Sequence, residues 1–322
     1  MDNITLLVLA NPTDRELALL ERLPNTTSIA VGDSIEAFDR LAPEAQVILH
    51  WTGSRKLLEA VWERAPRVEW VHSKSAGLDS LLFRALVESR VPLTNGRGVF
   101  SQSLGEFAIA SALFFAKGFR RLLRNQAAGV WEQFDIEEVR GQTMGIVGYG
   151  DIGRACAQRA HAMGMRVLAL RRRPELSEGD PYISGVFPLE RLLDMMPQCD
   201  YVVAAAPLAP GTRGLIGEAA IAAMKKTAVI MNVGRGPVID EQALIRALEA
   251  GRIRGAALDV FETEPLPAGH PFYKLESVLL SPHCTDHTAT WLDDAMLFFI
   301  DNFARYAAGE PLRNIVDKKA GY

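Results

Sequence analysis

A chain of 322 residues, 48% hydrophobic and 23% charged, has an ordinary soluble composition and exceeds what one compact core usually supports, so two domains are expected. Its net charge of −4, with no basic cluster beyond Arg171-Arg172-Arg173, argues against nucleic acid as a partner. The longest apolar stretch, Phe107 to Ala116, is too short to span a bilayer, and Cys156, Cys199 and Cys284 are too scattered for a disulfide framework or a structural zinc site.

Met1-Asp2 opens with an acid ahead of a short apolar run, Ile4 to Leu9, which suits a first buried strand rather than a signal peptide; a cytoplasmic location is the expectation. Further runs at Ala45 to Leu49, Val68 to Val71 and Val91 to Thr94 alternate with amphipathic stretches such as Ser54 to Ala65, the pattern of βα units around a parallel sheet. His50 and Trp51, just past one of these runs, read either as pocket residues or as packed side chains. Gln102 to Ala127 reads as one long helix, with Phe107, Ala108, Ser111, Ala112, Phe115 and Phe119 at near-helical spacing.

A second series of strands follows at Met144 to Val147, Arg166 to Leu170, Tyr201 to Ala205, Ala228 to Val233, Ala256 to Phe261 and Val278 to Ser281, which predicts a six-strand doubly wound domain. Asp240 is placed to cap a helix carrying Leu244, Ala247 and Leu248 and ended by Gly251. A last helix, from about Ala289 to Ala308, lines up Trp291, Ala295, Phe298, Phe299, Asn302 and Phe303, and the C-terminus is expected to return to the first lobe. The fold class is therefore α/β, two doubly wound parallel-sheet domains, with 101–284 inserted between 1–100 and 285–322.

Gly148-Tyr149-Gly150-Asp151-Ile152-Gly153 follows a strand and opens an amphipathic helix, Arg154 to Met163, that ends at Gly164. In that context the first two glycines allow a tight turn and close approach of a pyrophosphate, the third lets helix pack on strand, and the helix N-terminus favours phosphate charge. At the end of the next strand, where an acid would hold a ribose hydroxyl, stand Arg171 and Arg172. Guanidinium pairs with a 2′-phosphate, so NADPH is expected over NADH; a solvated arginine run is the plainer alternative.

Arg235, Glu264 and His283 each sit just past a buried strand run, so one sheet edge delivers a guanidinium, a carboxylate and an imidazole together. Such a set suits chemistry on a small carboxylic acid, with Arg gripping the acid and a carboxylate-supported His moving a proton. The glycines flanking Arg235 are expected to let backbone approach a ligand.

Together, Gly145-Ile-Val-Gly-Tyr-Gly-Asp-Ile-Gly153, Asn232-Val-Gly-Arg-Gly-Pro-Val-Ile-Asp-Glu-Gln-Ala-Leu244, Gly255-Ala-Ala-Leu-Asp-Val-Phe-Glu-Thr-Glu-Pro-Leu-Pro267 and Ser281-Pro-His283 resemble the D-isomer-specific 2-hydroxyacid dehydrogenases, glyoxylate and hydroxypyruvate reductases among them. The resemblance covers nearly the whole chain. It implies a Rossmann nucleotide-binding domain inserted into a flavodoxin-like substrate domain, lobes that close over a small 2-oxo or 2-hydroxy acid, and a homodimer. It also implies that Arg235 binds the substrate carboxylate, that His283 is the general acid and base, and that Glu264 orients it. Ala76 and Gly77 are implied as backbone donors to the same carboxylate, Asp259 and Val233 as neighbours of the nicotinamide, and Pro207 and Thr212 as the border of the adenosine side. Two other readings stand beside it: a nucleotide-sensing corepressor on the same fold, and a specialised relative such as phosphoglycerate or formate dehydrogenase. Against phosphoglycerate dehydrogenase, no regulatory domain is expected after residue 322; against formate dehydrogenase, formate oxidation needs no acid such as His283. One departure stands out. Where the family often reads Ile-Gly-Ser after its histidine, this chain has Cys284-Thr285-Asp286, followed by His287 as a potential partner for the added carboxylate.

Overall fold

The structure, a computed structural model, describes residues 3–321 and divides into two compact units. Met1 and Asp2, on which the leader expectation partly rests, lie outside the described residues.

Unit 1 runs up to Phe100 and resumes at Ala289. Its sheet holds five parallel strands, β1 (Thr5–Leu9), β2 (Ser28–Gly32), β3 (Val47–His50), β4 (Trp70–Ser73) and β5 (Leu93–Asn95), in the order β2-β1-β3-β4-β5. The sequence pattern predicts all of these except β2, an edge strand, half buried over most of its length, whose apolar run of three residues, Ile29 to Val31, is too short to stand out. Between β3 and β4, helix α1 (Arg55–Arg64) starts where the Ser54 hydroxyl accepts the Leu57 N–H at 3.2 Å, and it turns Leu57, Leu58 and Val61 inward. The short α2 (Arg84–Glu88) precedes β5.

Unit 2 spans Ser101–Thr288. It opens with α3 (Ser101–Ala116) and α4 (Phe119–Ala127), where the sequence reading expects one continuous helix. The break is Gly118, at φ +63, a left-handed residue that redirects the chain and leaves Phe119 43% exposed. Then come β6 (Thr143–Val147), α5 (Asp151–Ala162), β7 (Arg166–Leu170), β8 (Gly185–Phe187), α6 (Leu192–Met195), β9 (Tyr201–Ala204), α7 (Glu218–Ala223), β10 (Val229–Asn232), α8 (Glu241–Glu249), β11 (Gly255–Leu258) and β12 (Val278–Leu280).

The sheet of unit 2 is parallel throughout and has seven strands, not six, in the order β12-β11-β10-β9-β6-β7-β8. The unexpected strand is β8, three half-buried residues paired only with β7, too short to carry a periodic signal. Strand order reverses between β6 and β9, and the crevice outside the carboxyl ends at such a switch point is where open α/β sheets take ligands. Asp240 caps α8 as expected, its carboxylate accepting the Ala243 N–H at 2.9 Å.

The last helix, α9 (Trp291–Ala307), belongs to unit 1 and buries Ala295, Met296, Phe299, Asn302 and Phe303. The ring of Trp70 stacks on Phe299 at 5.5 Å, and its indole N–H donates to the Thr94 hydroxyl at 2.8 Å. The same hydroxyl lies 2.7 Å from His72 Nδ1. Among the described residues no helix is long and apolar enough to cross a membrane.

His72 is fully buried, and burial pushes its imidazole down to about 3 from an ordinary 6.5. Unfolded chain binds a proton there below 6.5 while folded chain does not, so stability falls as pH drops from 6.5 toward 3. Urea unfolding at about pH 7 and about pH 5 is expected to show a loss approaching roughly 1.4 kcal/mol per pH unit from this group. His72→Leu should flatten that slope; a variant with the same slope would assign the loss to other groups.

Candidate active site

The turn after β6 gives each of its glycines a different reason to be there. Gly148 has φ +97, and a Cβ on it would sit 2.5 Å from the backbone of Ala206. A Cβ on Gly153 would sit 2.4 Å from the Gly148 carbonyl oxygen, which holds α5 tight on β6. Gly150 has an ordinary φ of −101, and its missing Cβ would meet nothing within 4 Å. Neither strain nor packing demands glycine at Gly150, so an approaching ligand is the reason left, and the N-terminus of α5 behind it suits a pyrophosphate. The residues present therefore fit a dinucleotide. Asp151 and Ile152 form the first turn of α5, the former exposed and the latter half buried. Tyr149 is buried; burial first, and the Asp180 carboxylate second, push its hydroxyl pKa up. Asp180 itself receives the Arg154 guanidinium at 2.9 Å.

Arg171 begins the segment after β7 and is half buried, its Nη1 donating to the Ser177 hydroxyl at 2.7 Å and its backbone N–H to Phe187 at 3.0 Å. Arg172 beside it is exposed. In the loop after β9 the Thr212 hydroxyl donates to the Pro207 carbonyl at 2.6 Å and accepts the Ala209 N–H at 2.8 Å, closing that loop on itself. Val233 is buried and extends the pairing of β10 with β9 through its N–H to Ala204 at 3.0 Å.

Arg235 follows β10, half buried, with Nη1 donating to the Gly234 carbonyl at 2.8 Å. Its loop is pinned by Asn232, 1% exposed, which accepts the Gly234 N–H at 3.1 Å and donates to the Arg235 carbonyl at 3.0 Å. The flanking glycines answer to protein rather than to a ligand, against the expectation from sequence. A Cβ on Gly234 would lie 2.7 Å from the Ala206 oxygen, and one on Gly236 would lie 1.9 Å from the Phe261 carbonyl. Backbone after β9 fills the space a side chain would need at Gly234, and backbone of the next loop fills it at Gly236.

That next loop, after β11, carries Glu264, and the loop after β12 carries His283; the two side chains meet. His283 Nδ1 lies 2.7 Å from Glu264 Oε2, while Glu264 Oε1 accepts the Phe261 N–H at 2.9 Å. With Nδ1–H committed to the carboxylate, Nε2 is the nitrogen left to exchange a proton with another molecule. Both side chains reach solvent, at 43% and 35% exposure, and His283 takes the left-handed backbone at φ +53. Asp259, 1% exposed, accepts from Cys284 N–H at 3.1 Å, from Thr285 N–H at 3.3 Å and from the Thr285 hydroxyl at 2.7 Å. Ser103, in α3, donates to the Thr285 carbonyl at 2.5 Å.

Asp286 pairs with His287 at 3.7 Å, the partnership considered from sequence, yet its Oδ1 accepts no hydrogen bond. Burial raises its pKa, against the lowering effect of His287 and with a further push from Asp259. Cys284 is exposed, whereas Cys156 and Cys199 are buried, and all are free thiols. Ala76 and Gly77 belong to unit 1, in the half-buried loop after β4, where Asn95 Nδ2 donates to the Ala76 carbonyl at 2.7 Å. Trp51 is packed at 3% exposure with the Lys74 ammonium 5.2 Å from its ring centre. Asn232 and Ser103 are structural partners that sequence reasoning passed over, and Thr285, noted there only as a departure from the family, is bonded to Asp259. A polar Asn closing an apolar strand was a signal for the first; Ser103 offered none.

Residues 109–285 match the family model described as the D-isomer specific 2-hydroxyacid dehydrogenase, NAD binding domain. The chain is 34% identical over 269 residues to a glyoxylate reductase of Korarchaeum cryptofilum, covering 80% of this chain and 79% of that protein. It is 34% identical over 270 residues to glyoxylate/hydroxypyruvate reductase B of Klebsiella pneumoniae (strain 342), covering 82% and 83%. Among solved structures it resembles a D-isomer specific 2-hydroxyacid dehydrogenase from Xanthobacter autotrophicus Py2 in complex with NADPH and MES, at TM-score 0.82 and 29% identity over 100% of both chains.

The contrast between glycines is directly testable. Gly150→Ala is expected to leave the unfolding free energy within about 1 kcal/mol while weakening dinucleotide binding severalfold, measured by quenching of protein fluorescence. Gly236→Ala, overlapping Phe261 backbone, is expected to cost roughly 1–3 kcal/mol in stability. Equal stability losses in the two variants would refute the separation of ligand space from packing space.

Proposed function

The chain belongs to the D-isomer-specific 2-hydroxyacid dehydrogenases, and from that membership we propose that it is an NADPH-preferring reductase that converts a small 2-oxo acid of the glyoxylate or hydroxypyruvate kind to the D-2-hydroxy acid. As a family member it is an NAD(P)-dependent enzyme. The observation that carries the reading is the His283–Glu264 pair at 2.7 Å, on the same sheet edge as Arg235. The nicotinamide cofactor, when bound, supplies the hydride.

Arg235 grips the substrate carboxylate through its guanidinium, and its charge polarises the neighbouring carbonyl. Protonated His283 gives the Nε2 proton to the carbonyl oxygen as that oxygen gains negative charge, and Glu264 stabilises the imidazolium beforehand and orients the ring throughout. Hydroxy-acid oxidation runs the same proton transfer backwards. Gly148, Tyr149, Gly150, Asp151, Ile152 and Gly153 cradle the pyrophosphate, Pro207 and Thr212 border the adenosine, and Val233 and Asp259 border the nicotinamide.

Arg171 and Arg172 take the 2′-phosphate. Ser177 occupies one donor of Arg171, which fixes the guanidinium and leaves most of its five N–H donors to other acceptors. The NADPH complex of the Xanthobacter relative supports the preference.

Loss of NADPH absorbance over a panel of 2-oxo acids is the decisive assay. Arg235→Lys should reduce kcat/KM by roughly ten- to a hundredfold without weakening cofactor binding, since the planar two-point grip is lost. NADPH should exceed NADH in kcat/KM by roughly tenfold or more, and Arg171→Asp should erase that ratio. No turnover with any member of the panel would sink the reading, and a ratio at or below one would sink the cofactor preference alone.

The homodimer rests on a separate observation. Helix α4 buries none of its residues, and on or just after it Leu123 at 61%, Val130 at 50% and Trp131 at 95% exposure are large apolar side chains open to solvent, as association surfaces offer. Sedimentation at micromolar concentration should give a dimer, and joint Leu123→Glu and Trp131→Glu substitution a monomer. A monomeric unmodified protein would rule the assembly out.

A further inference from the structure

All three polar groups of Thr285 are engaged. Its N–H and hydroxyl both donate to Asp259, at 3.3 and 2.7 Å, and its carbonyl accepts from Ser103 at 2.5 Å. A residue held at three points loses nearly all freedom to rotate, and the neighbouring Cys284 N–H, donating to Asp259 at 3.1 Å, extends the hold one residue closer to His283. Asp259 is 1% exposed, and a carboxylate taken out of water demands donors on both oxygens. One oxygen receives the two backbone N–H groups and the other receives the hydroxyl, so without the hydroxyl Oδ2 has no donor from this segment.

His283 adopts φ +53, a region that side-chain-bearing residues enter only where their surroundings impose it. Glu264 constrains the ring end of that residue through Nδ1. The backbone end is constrained by the next two residues along the chain, the anchored pair Cys284 and Thr285. A glycine, common in the family here, would supply the backbone N–H but not the hydroxyl.

We propose that Thr285 is a positioning residue that acts through His283: its hydroxyl completes the shell of the buried Asp259 carboxylate and so fixes the loop exit that aims the imidazole. The proposal rests on the reductase reading for its kinetic consequence, though not for its structural one. Displacing a catalytic group by around 1 Å costs up to about a hundredfold, so a loosened loop should register in kcat before it registers in binding.

Thr285→Val keeps the shape and removes the hydroxyl. Its kcat for 2-oxo acid reduction is expected to fall about tenfold, with the NADPH dissociation constant changed less than about twofold, and Thr285→Ser is expected to restore kcat to within about twofold. Ser103→Ala, which takes away only the donor to the Thr285 carbonyl, should give a smaller loss in the same direction, and it serves should the valine variant fail to fold. A second arm needs no substrate. The ring resonances of His283, assigned by their disappearance in His283→Gln, should shift in Thr285→Val, shift less in Ser103→Ala and stay in place in Thr285→Ser. An unmodified protein that turns over no 2-oxo acid defeats the reductase reading alone, because the resonances still decide the role of Thr285. Unmoved resonances in both Thr285→Val and Ser103→Ala, a valine variant with kcat within twofold of the unmodified protein, or a loss that serine does not restore would overturn the proposal.

Discussion

At the carboxyl edge of the seven-stranded sheet, backbone packs directly on backbone, and the positions of the candidate site residues descend from that contact. Ala206, just past β9, is the point on which two loops close: a Cβ on Gly148 would lie 2.5 Å from its backbone, and one on Gly234 would lie 2.7 Å from its oxygen. Gly236 presses in the same way on Phe261, at 1.9 Å for its absent Cβ. Main chain is stiffer than side chain, so contacts of this kind transmit position with little slack. The dinucleotide turn, the Arg235 loop and the loop leading to Glu264 are thus registered against one another through two neighbours, Ala206 and Phe261. Phe261 carries the register one step further, since its N–H holds Glu264 Oε1 and the other oxygen of Glu264 holds His283.

What sequence reasoning could reach in this molecule was what local chemistry specifies. Asp240 caps its helix as its side-chain chemistry predicts, and the buried strands of both sheets declare themselves as apolar runs bounded by turns. The missed strands, β2 and β8, are edge elements, half buried over most of their length, whose apolar runs of three and two residues are too short to stand out. The single helix expected over Gln102 to Ala127 breaks at Gly118 because a left-handed residue changes direction without disturbing the hydrophobic spacing on either side.

The site was legible to a similar depth and no further. Glu264 and His283 were paired from their places after neighbouring strands, and the structure brings them to 2.7 Å. Gly234 and Gly236 are explained by tertiary packing: sequence shows that a Cβ is missing, not what would meet one. The bonds from Asp259 to Cys284 and Thr285 cross 25 and 26 residues, beyond any local pattern. They depend on β11 and β12 being neighbours in the sheet, a tertiary fact.

Three carboxylates lie on these adjacent loops, and the donors each one finds divide their work. Asp259 is buried and saturated by three donors from one segment, which makes it a fixed anchor. Glu264 divides its oxygens between a backbone N–H and the imidazole, so it answers to the protonation of His283 while remaining in place. Asp286 has an oxygen with no hydrogen bond, a partner in His287 at 3.7 Å and a raised pKa set first by burial. A half-buried carboxylate short of donors is more easily neutralised, so Asp286 gives up its negative charge earlier than an ordinary aspartate as pH falls. Where the family often has a small neutral residue, this chain therefore carries a charge that is strongest at high pH and fades toward acid. On the proposed reading, the fading charge repels an anionic oxo acid less at lower pH, so this departure in sequence admits the substrate best toward acid.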